Sequence, residues 1–164
     1  MKRRVFIKFA SVNTLLFSSN IAIAKSINKD TLAVLDEVYE ILFPKTNTMP
    51  SSKEFGALEF LVKNINHKSF DDYDKNLVLE GTKDFHSTFP SFLNLKNKEK
   101  KQIIEDIINT NDYAQSWLSK LIYYAFEALL SDPLYGGNKN QIGWKSVNHK
   151  IGYPRPKLTY GQKI

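Results

Sequence analysis

The chain has 164 residues, enough for one ordinary domain and too few for an enzyme with separate cofactor and substrate domains. Hydrophobic residues make up 42% and aromatic residues 13%, which excludes a disordered or low-complexity protein. The absence of cysteine excludes c-type haem attachment, iron–sulfur ligation, thiol catalysis, Cys-zinc sites and disulfides together, so any redox role must come from a partner.

The net charge of +6 is uneven along the chain. Four of the 23 basic residues lie in Met1–Ala24, which holds no acid, and the remaining 19 face 17 acids. That balance is too small to point to DNA or RNA. The basic start Lys2-Arg3-Arg4, the apolar stretch from Phe9 to Ala24 and the small residues of Ala22-Ile23-Ala24 before Lys25 have the order of a secretory signal. Arg3 and Arg4, with Phe6 two places after the second arginine and Lys8 two beyond that, resemble the twin-arginine export signal. Cleavage is expected after Ala24. An uncleaved anchor is the alternative, but a span needs about 20 predominantly apolar residues, and the segment between Lys8 and Lys25 is shorter and more polar. The twin-arginine route carries folded proteins, often around a cofactor. A small cysteine-free domain gives no such reason of its own, which suggests a passenger.

The body, residues 25–132, reads as about five helices. Leu32, Leu35, Val38, Tyr39 and Leu42 recur at three- and four-residue steps from Asp30 to Phe43, with Asp30 or Thr31 as cap and Pro44 as stop. Ser51-Ser52-Lys53-Glu54 has capping-box spacing ahead of Phe55, Leu58, Val62 and Ile65, in a helix expected to end near His67. A third helix is expected from about Asp71 to Phe85, with Tyr73, Leu77 and Phe85 inward and Gly81 as a weak point. Lys98–Asn109 places Ile103, Ile104, Ile107 and Ile108 on one face. Asp112–Ser131, the longest and most apolar segment, does the same with Trp117, Leu121, Tyr124, Ala128 and Leu129 and is expected at the centre. Without a run of strict alternation, the fold class is all-α.

From Pro133 the texture changes. Residues 133–164 hold six basic residues and no acid, whereas residues 25–132 hold 13 basic and 17 acidic ones. Five of the seven glycines and three of the six prolines also lie there, with Tyr135, Trp144, Tyr153 and Tyr160. This predicts a long irregular C-terminal tail in the same domain. Such a stretch is normally functional or disordered, and large aromatics favour an interface.

Little in the chain has the spacing of a chemical site. Asp132-Pro133-Leu134-Tyr135-Gly136-Gly137-Asn138 reads as a helix stop and tight turn, and its paired glycines would also let another backbone come close. Gly-Gly-Asn-Lys lacks the strand and the Gly-Lys-Ser/Thr element of a phosphate loop. His67, His86 and His149 have no second ligand at helical spacing, so no metal site is expected. Asp72, Asp74 and Asn76 match the start of an EF-hand loop, but Leu77 replaces its glycine and Lys83 its glutamate, leaving a hydrated charge run. No serine sits in a nucleophile elbow, and no catalytic residue is assigned.

The chain resembles the gluconate 2-dehydrogenase subunit 3 family. The resemblance is carried by Arg3-Arg4-Val5-Phe6-Ile7-Lys8, by Gly56-Ala57-Leu58-Glu59-Phe60-Leu61, and above all by Ser131-Asp132-Pro133-Leu134-Tyr135-Gly136-Gly137-Asn138 followed by Gly143-Trp144-Lys145. Lys145–Ile151 departs from it by delaying the Gly152-Tyr153-Pro154 element. The resemblance implies a complex of a large FAD subunit of the glucose–methanol–choline oxidoreductase type, a cytochrome c subunit carrying haem c, and this small subunit, which holds no cofactor. It also implies export through the twin-arginine translocase to the periplasm, at the outer face of the inner membrane. Asp132, Pro133, Tyr135, Gly136, Gly137, Asn138, Gly143 and Trp144 are the expected partner-binding residues. The alternatives are a free-standing periplasmic binding or adaptor protein, and a small enzyme.

Overall fold

The computed structural model describes residues 27–159 and 162. The twin-arginine residues Arg3, Arg4, Phe6 and Lys8 and the cleavage residues Ala22 and Ala24 lie outside them. Among the described residues every regular element is a helix, as the all-α reading expects. The helices are α1 (Lys29–Leu42), α2 (Ser52–Phe55), α3 (Ala57–Ile65), α4 (Asp72–Thr88), α5 (Asn97–Thr110), α6 (Asp112–Leu130) and α7 (Ile142–Ser146). Short 3-10 turns span Phe92–Asn94, Pro133–Tyr135 and Lys139–Gln141.

Each start has a local cause. Asn28, rather than Asp30 or Thr31, caps α1, its Oδ1 accepting from the Thr31 amide at 2.7 Å. The reason is register: the helix begins one residue earlier than the apolar stripe suggests, so the capping position falls on Asn28. At α2 the capping box is complete, Ser51 Oγ accepting from the Glu54 amide and the Ser51 amide donating to Glu54 Oε2 at 2.8 Å. The single helix expected from Ser52 to His67 is broken at Gly56, whose φ of 81° ends α2 and starts α3. Glycine, with no Cβ, adopts that left-handed conformation without steric cost. Asp71 and Asn111 cap α4 and α6 through the amides of Asp74 and Ala114, both at 2.9 Å.

α6 is the axis of the molecule, with α3, α4 and α5 against it and α1 closing the far side. Trp117, Leu118, Leu121, Ala125, Ala128 and Leu129 are buried in one cluster with Val34, Leu35 and Val38 of α1, Phe60 and Leu61 of α3, and Val78 and Phe85 of α4. Full burial of a leucine or phenylalanine contributes about 1.5–3 kcal/mol, so this layer is the main source of stability. Gly81 does not weaken α4; it admits Trp117, whose ring carbon Cδ1 lies 2.6 Å from where a Cβ would stand. The indole Nε1 donates to Thr82 Oγ1 at 3.2 Å, and that hydroxyl donates to the Val78 carbonyl at 2.6 Å.

Two expectations for α4 are corrected. Tyr73 points outward, 69% exposed, because Leu77, Val78 and Phe85 define the buried face and Tyr73 lies off it. Asp74 is buried rather than hydrated, accepting from the Tyr124 hydroxyl at 2.7 Å and pairing with Lys120 at 2.9 Å. The tail, too, is more regular than expected, carrying two 3-10 turns and α7 within residues 133–146. Among the described residues no helix is long and apolar enough to cross a membrane.

Candidate functional site

An α-helix leaves its last four carbonyls without partners inside the helix. At the C-terminal end of α6 the segment 132–144 folds back over them. Asn138 is fully buried, with φ of 46°. Its Nδ2 donates to the Ser131 carbonyl at 2.9 Å, and its Oδ1 accepts from the Gly143 amide at 2.9 Å. The Trp144 indole Nε1 donates to the Leu130 carbonyl at 2.6 Å. A Cβ at Gly137 would stand 2.3 Å from the Ala128 carbonyl oxygen, and one at Gly143 only 1.9 Å from that of Leu129. Gly137 and Gly143 do admit a close backbone, and that backbone is α6 of the same chain, whereas Gly136 faces the Lys63 side chain.

The start of the segment is tied to α3. Asp132 Oδ1 accepts from the Leu134 amide at 3.0 Å, capping the turn that Pro133 opens. Gly136 ends the turn with φ of 104°. Asn64 Nδ2 donates to the Tyr135 carbonyl at 3.1 Å and to the Phe60 carbonyl at 2.7 Å, and Lys63 Nζ donates to the Leu134 carbonyl at 3.1 Å. Lys139 pairs with Glu59 at 2.6 Å. Partial burial draws the Glu59 carboxyl upward, but the Lys139 hydrogen bond and charge hold it below the usual carboxylate range. Of the eight expected partner-binding residues, Gly137, Asn138, Gly143 and Trp144 are buried within the chain, while Asp132, Pro133, Tyr135 and Gly136 are half-buried.

Beyond α7 the chain returns as a strap. Arg155 lies between Pro154 and Pro156, donates from Nε to Asp132 Oδ2 at 2.6 Å, and covers the Trp144 ring at 5.0 Å. Beneath the strap runs a groove of about 1160 Å³. Its floor is Phe60, Glu127, Ser131 and Tyr135, and its roof runs from Pro154 to Thr159. The Ser131 hydroxyl is buried without a hydrogen-bond partner among the described residues.

Sequence reasoning passed over Asn64, Lys63 and Arg155. Asn64 left a signal: an amide among Phe60, Leu61 and Ile65 on a buried helix face must find partners. The histidines do not converge on a common centre. His67 Nδ1 accepts from the Ser69 amide at 3.1 Å, and the His149 ring lies 5.6 Å from that of Trp144. Among the described residues no group of three or more His, Asp or Glu could hold a metal ion.

Fold and site together define a small helical protein whose most distinctive segment caps its own central helix. The chain belongs to the gluconate 2-dehydrogenase subunit 3 family, whose model matches residues 29–152, from the start of α1 to just before the strap. The family name denotes a subunit of a dehydrogenase complex. No curated protein and no solved structure matches the chain.

Proposed function

We propose that the chain is the non-catalytic small subunit of a periplasmic, FAD-dependent dehydrogenase complex of the gluconate 2-dehydrogenase type. In this reading it supplies the twin-arginine signal and escorts and stabilises the flavin subunit, with a cytochrome c subunit completing the assembly at the outer face of the inner membrane. The reading is carried by the family match over residues 29–152 joined to the Arg3-Arg4 signal ahead of it. The closing block is structural in this reading, since Asp132, Asn138 and Trp144 direct their polar atoms at the chain itself. Flavin chemistry, hydride removal from a sugar, sugar acid or polyol, belongs to the partner. This chain contributes the address and a surface to hold.

The test is Arg3→Lys with Arg4→Lys in cells making the whole complex, followed by fractionation. The flavin subunit is expected to stay in the cytoplasm; if it reaches the periplasm in full, the escort role is wrong. A free-standing binding or adaptor protein is the second reading, favoured by the groove under the strap. It predicts a defined ligand in the purified monomer, whereas turnover by the isolated chain would indicate an enzyme.

A further inference from the structure

The strap is held to the body by few ties. No residue from Lys150 to Thr159 is buried, and from Lys150 to Leu158 the backbone makes no hydrogen bond among the described residues. Its polar ties to the body among those residues pass through Arg155, which bonds Asp132 Oδ2 at 2.6 Å and covers the Trp144 ring at 5.0 Å. Little buried surface and an exposed backbone mark a segment that opens locally while the rest of the chain stays folded. The strap also leaves a groove of about 1160 Å³ between itself and the floor, and its aromatic residue Tyr153 is 85% exposed instead of packing there.

Floor and roof differ in where they lie along the chain. Phe60, Glu127, Ser131 and Tyr135 of the floor, with the Asp132 and Trp144 that Arg155 meets, all fall inside the matched span 29–152, whereas the roof from Pro154 to Thr159 falls wholly outside it. The contact that the strap makes shows what the floor accepts. One guanidinium meets a carboxylate and an indole face at once, between two prolines that line the groove, a combination that suits the planar fork of arginine better than the ammonium of lysine. The charges on the covered side are Glu127 and Asp132, and the side chain of Asp132 is only 10% exposed. Lys63 and Lys139, which border the same turn, are engaged by the Leu134 carbonyl and by Glu59. A segment that displaces the strap therefore has to bring its own cation to Asp132.

We propose that the strap is a tethered stand-in for a partner, and that a segment of the partner carrying an arginine between apolar residues displaces it from Asp132 and Trp144 and docks on the floor of the groove. Asp132 Oδ1 keeps its cap on the Leu134 amide throughout, and only Oδ2 exchanges one arginine for another. The closed strap competes with the partner, so the apparent affinity is reduced by the fraction of chains that are closed. This rests on the subunit reading above and makes the flavin subunit the partner, because the covered face is built within the span matched by a family of complex subunits while the strap is not. A second copy of this chain also carries Pro154-Arg155-Pro156, and two copies exchanging straps about a two-fold axis would make the same contacts; the test separates that outcome.

The two ends of the one ion pair provide the test, with the full chain titrated against the purified flavin subunit. Arg155→Ala removes the competitor and leaves the face intact, so affinity is expected to rise at least about threefold. Asp132→Asn releases the strap as well, and its amide oxygen can still cap the Leu134 amide, but the partner's arginine loses its carboxylate; affinity is expected to fall at least roughly tenfold. A joint that is only structural moves both variants in the same direction. Changes of the same sign, or a change below about twofold in either variant, overturn the proposal and leave the subunit reading standing, whereas a parent chain that does not bind the flavin subunit ends both. Thermal melting establishes that the variants fold; where Asp132→Asn does not, Tyr135→Ser replaces it with the same expected loss. Dimers of the isolated chain that Arg155→Ala abolishes, with flavin-subunit affinity unmoved by either variant, would assign the face to strap exchange and overturn the proposal.

Discussion

Arg155 approaches Asp132 from the side, with Nε and Nη2 both 2.6 Å from Oδ2. The other oxygen, Oδ1, caps the turn at Leu134. One carboxylate thus fastens both the start of the closing block and the strap that ends it.

Arg155→Ala is therefore expected to free the strap while leaving the helices in place. Limited trypsin digestion should cut faster after Lys150 and Lys157, with unchanged far-UV circular dichroism and a stability loss of about 1 kcal/mol, kept small by the partial exposure of the pair. Asp132→Ala removes the cap as well and should cost roughly 1 kcal/mol more. Equal losses in the two variants would show that the cap contributes nothing.

The glycines of the block give a graded series. Gly143→Ala and Gly137→Ala would push a methyl group into α6 carbonyl oxygens at 1.9 and 2.3 Å. Each should destabilise the protein by about 3 kcal/mol or more. At Gly152 an added methyl group would meet nothing within 4 Å among the described residues, so Gly152→Ala is expected to change stability by less than about 0.5 kcal/mol. Urea denaturation of the three variants checks the order, and equal midpoints would refute the close contact.

Tyr39 is fully buried, and its hydroxyl has no partner among the described residues. Burial pushes its ionisation far above the ordinary tyrosine range. Tyr39→Phe removes a desolvated hydroxyl whose burial costs about 1–3 kcal/mol when unsatisfied, so the melting temperature should rise. A drop would mean that the hydroxyl is bonded in solution.

Asp84 supplies a test in pH. Burial, and then the nearby charge of Glu80, push its carboxyl above the usual range. A group with a raised folded pKa contributes stability below its unfolded pKa and loses it as pH rises through the folded value. Asp84→Asn should therefore raise the melting temperature at about pH 7 and confer no gain near about pH 3. A gain that persists in acid would assign the effect to something other than ionisation.

The helices that pack by one continuous stripe were legible in the sequence, because burial on α6 repeats with the period of the helix from Trp117 to Leu129. The break at Gly56 was not, since a lone glycine inside a helical pattern signals a weak point without saying that φ becomes positive. Tyr73 misled because an aromatic near a helix start fits the stripe almost as well as Leu77 does. The block 132–144 was visible as an unusual cluster of Asp, Pro, Gly, Asn and Trp. Its partner was not, because the bonds from Asn138 and Trp144 end on backbone carbonyls, which leave no mark in the residue letters. The exposure of Tyr123, Phe126 and Leu130 was readable in principle: once Trp117, Leu121 and Tyr124 are assigned inward, these three have no place in the core.

The caps on α6 come from residues made after it. While a nascent chain still lacks Asn138 and Trp144, the Ser131 and Leu130 carbonyls have no donors and the final turn of the central helix can fray. A product that terminates before Asn138 thus carries an open helix end for proteases to find.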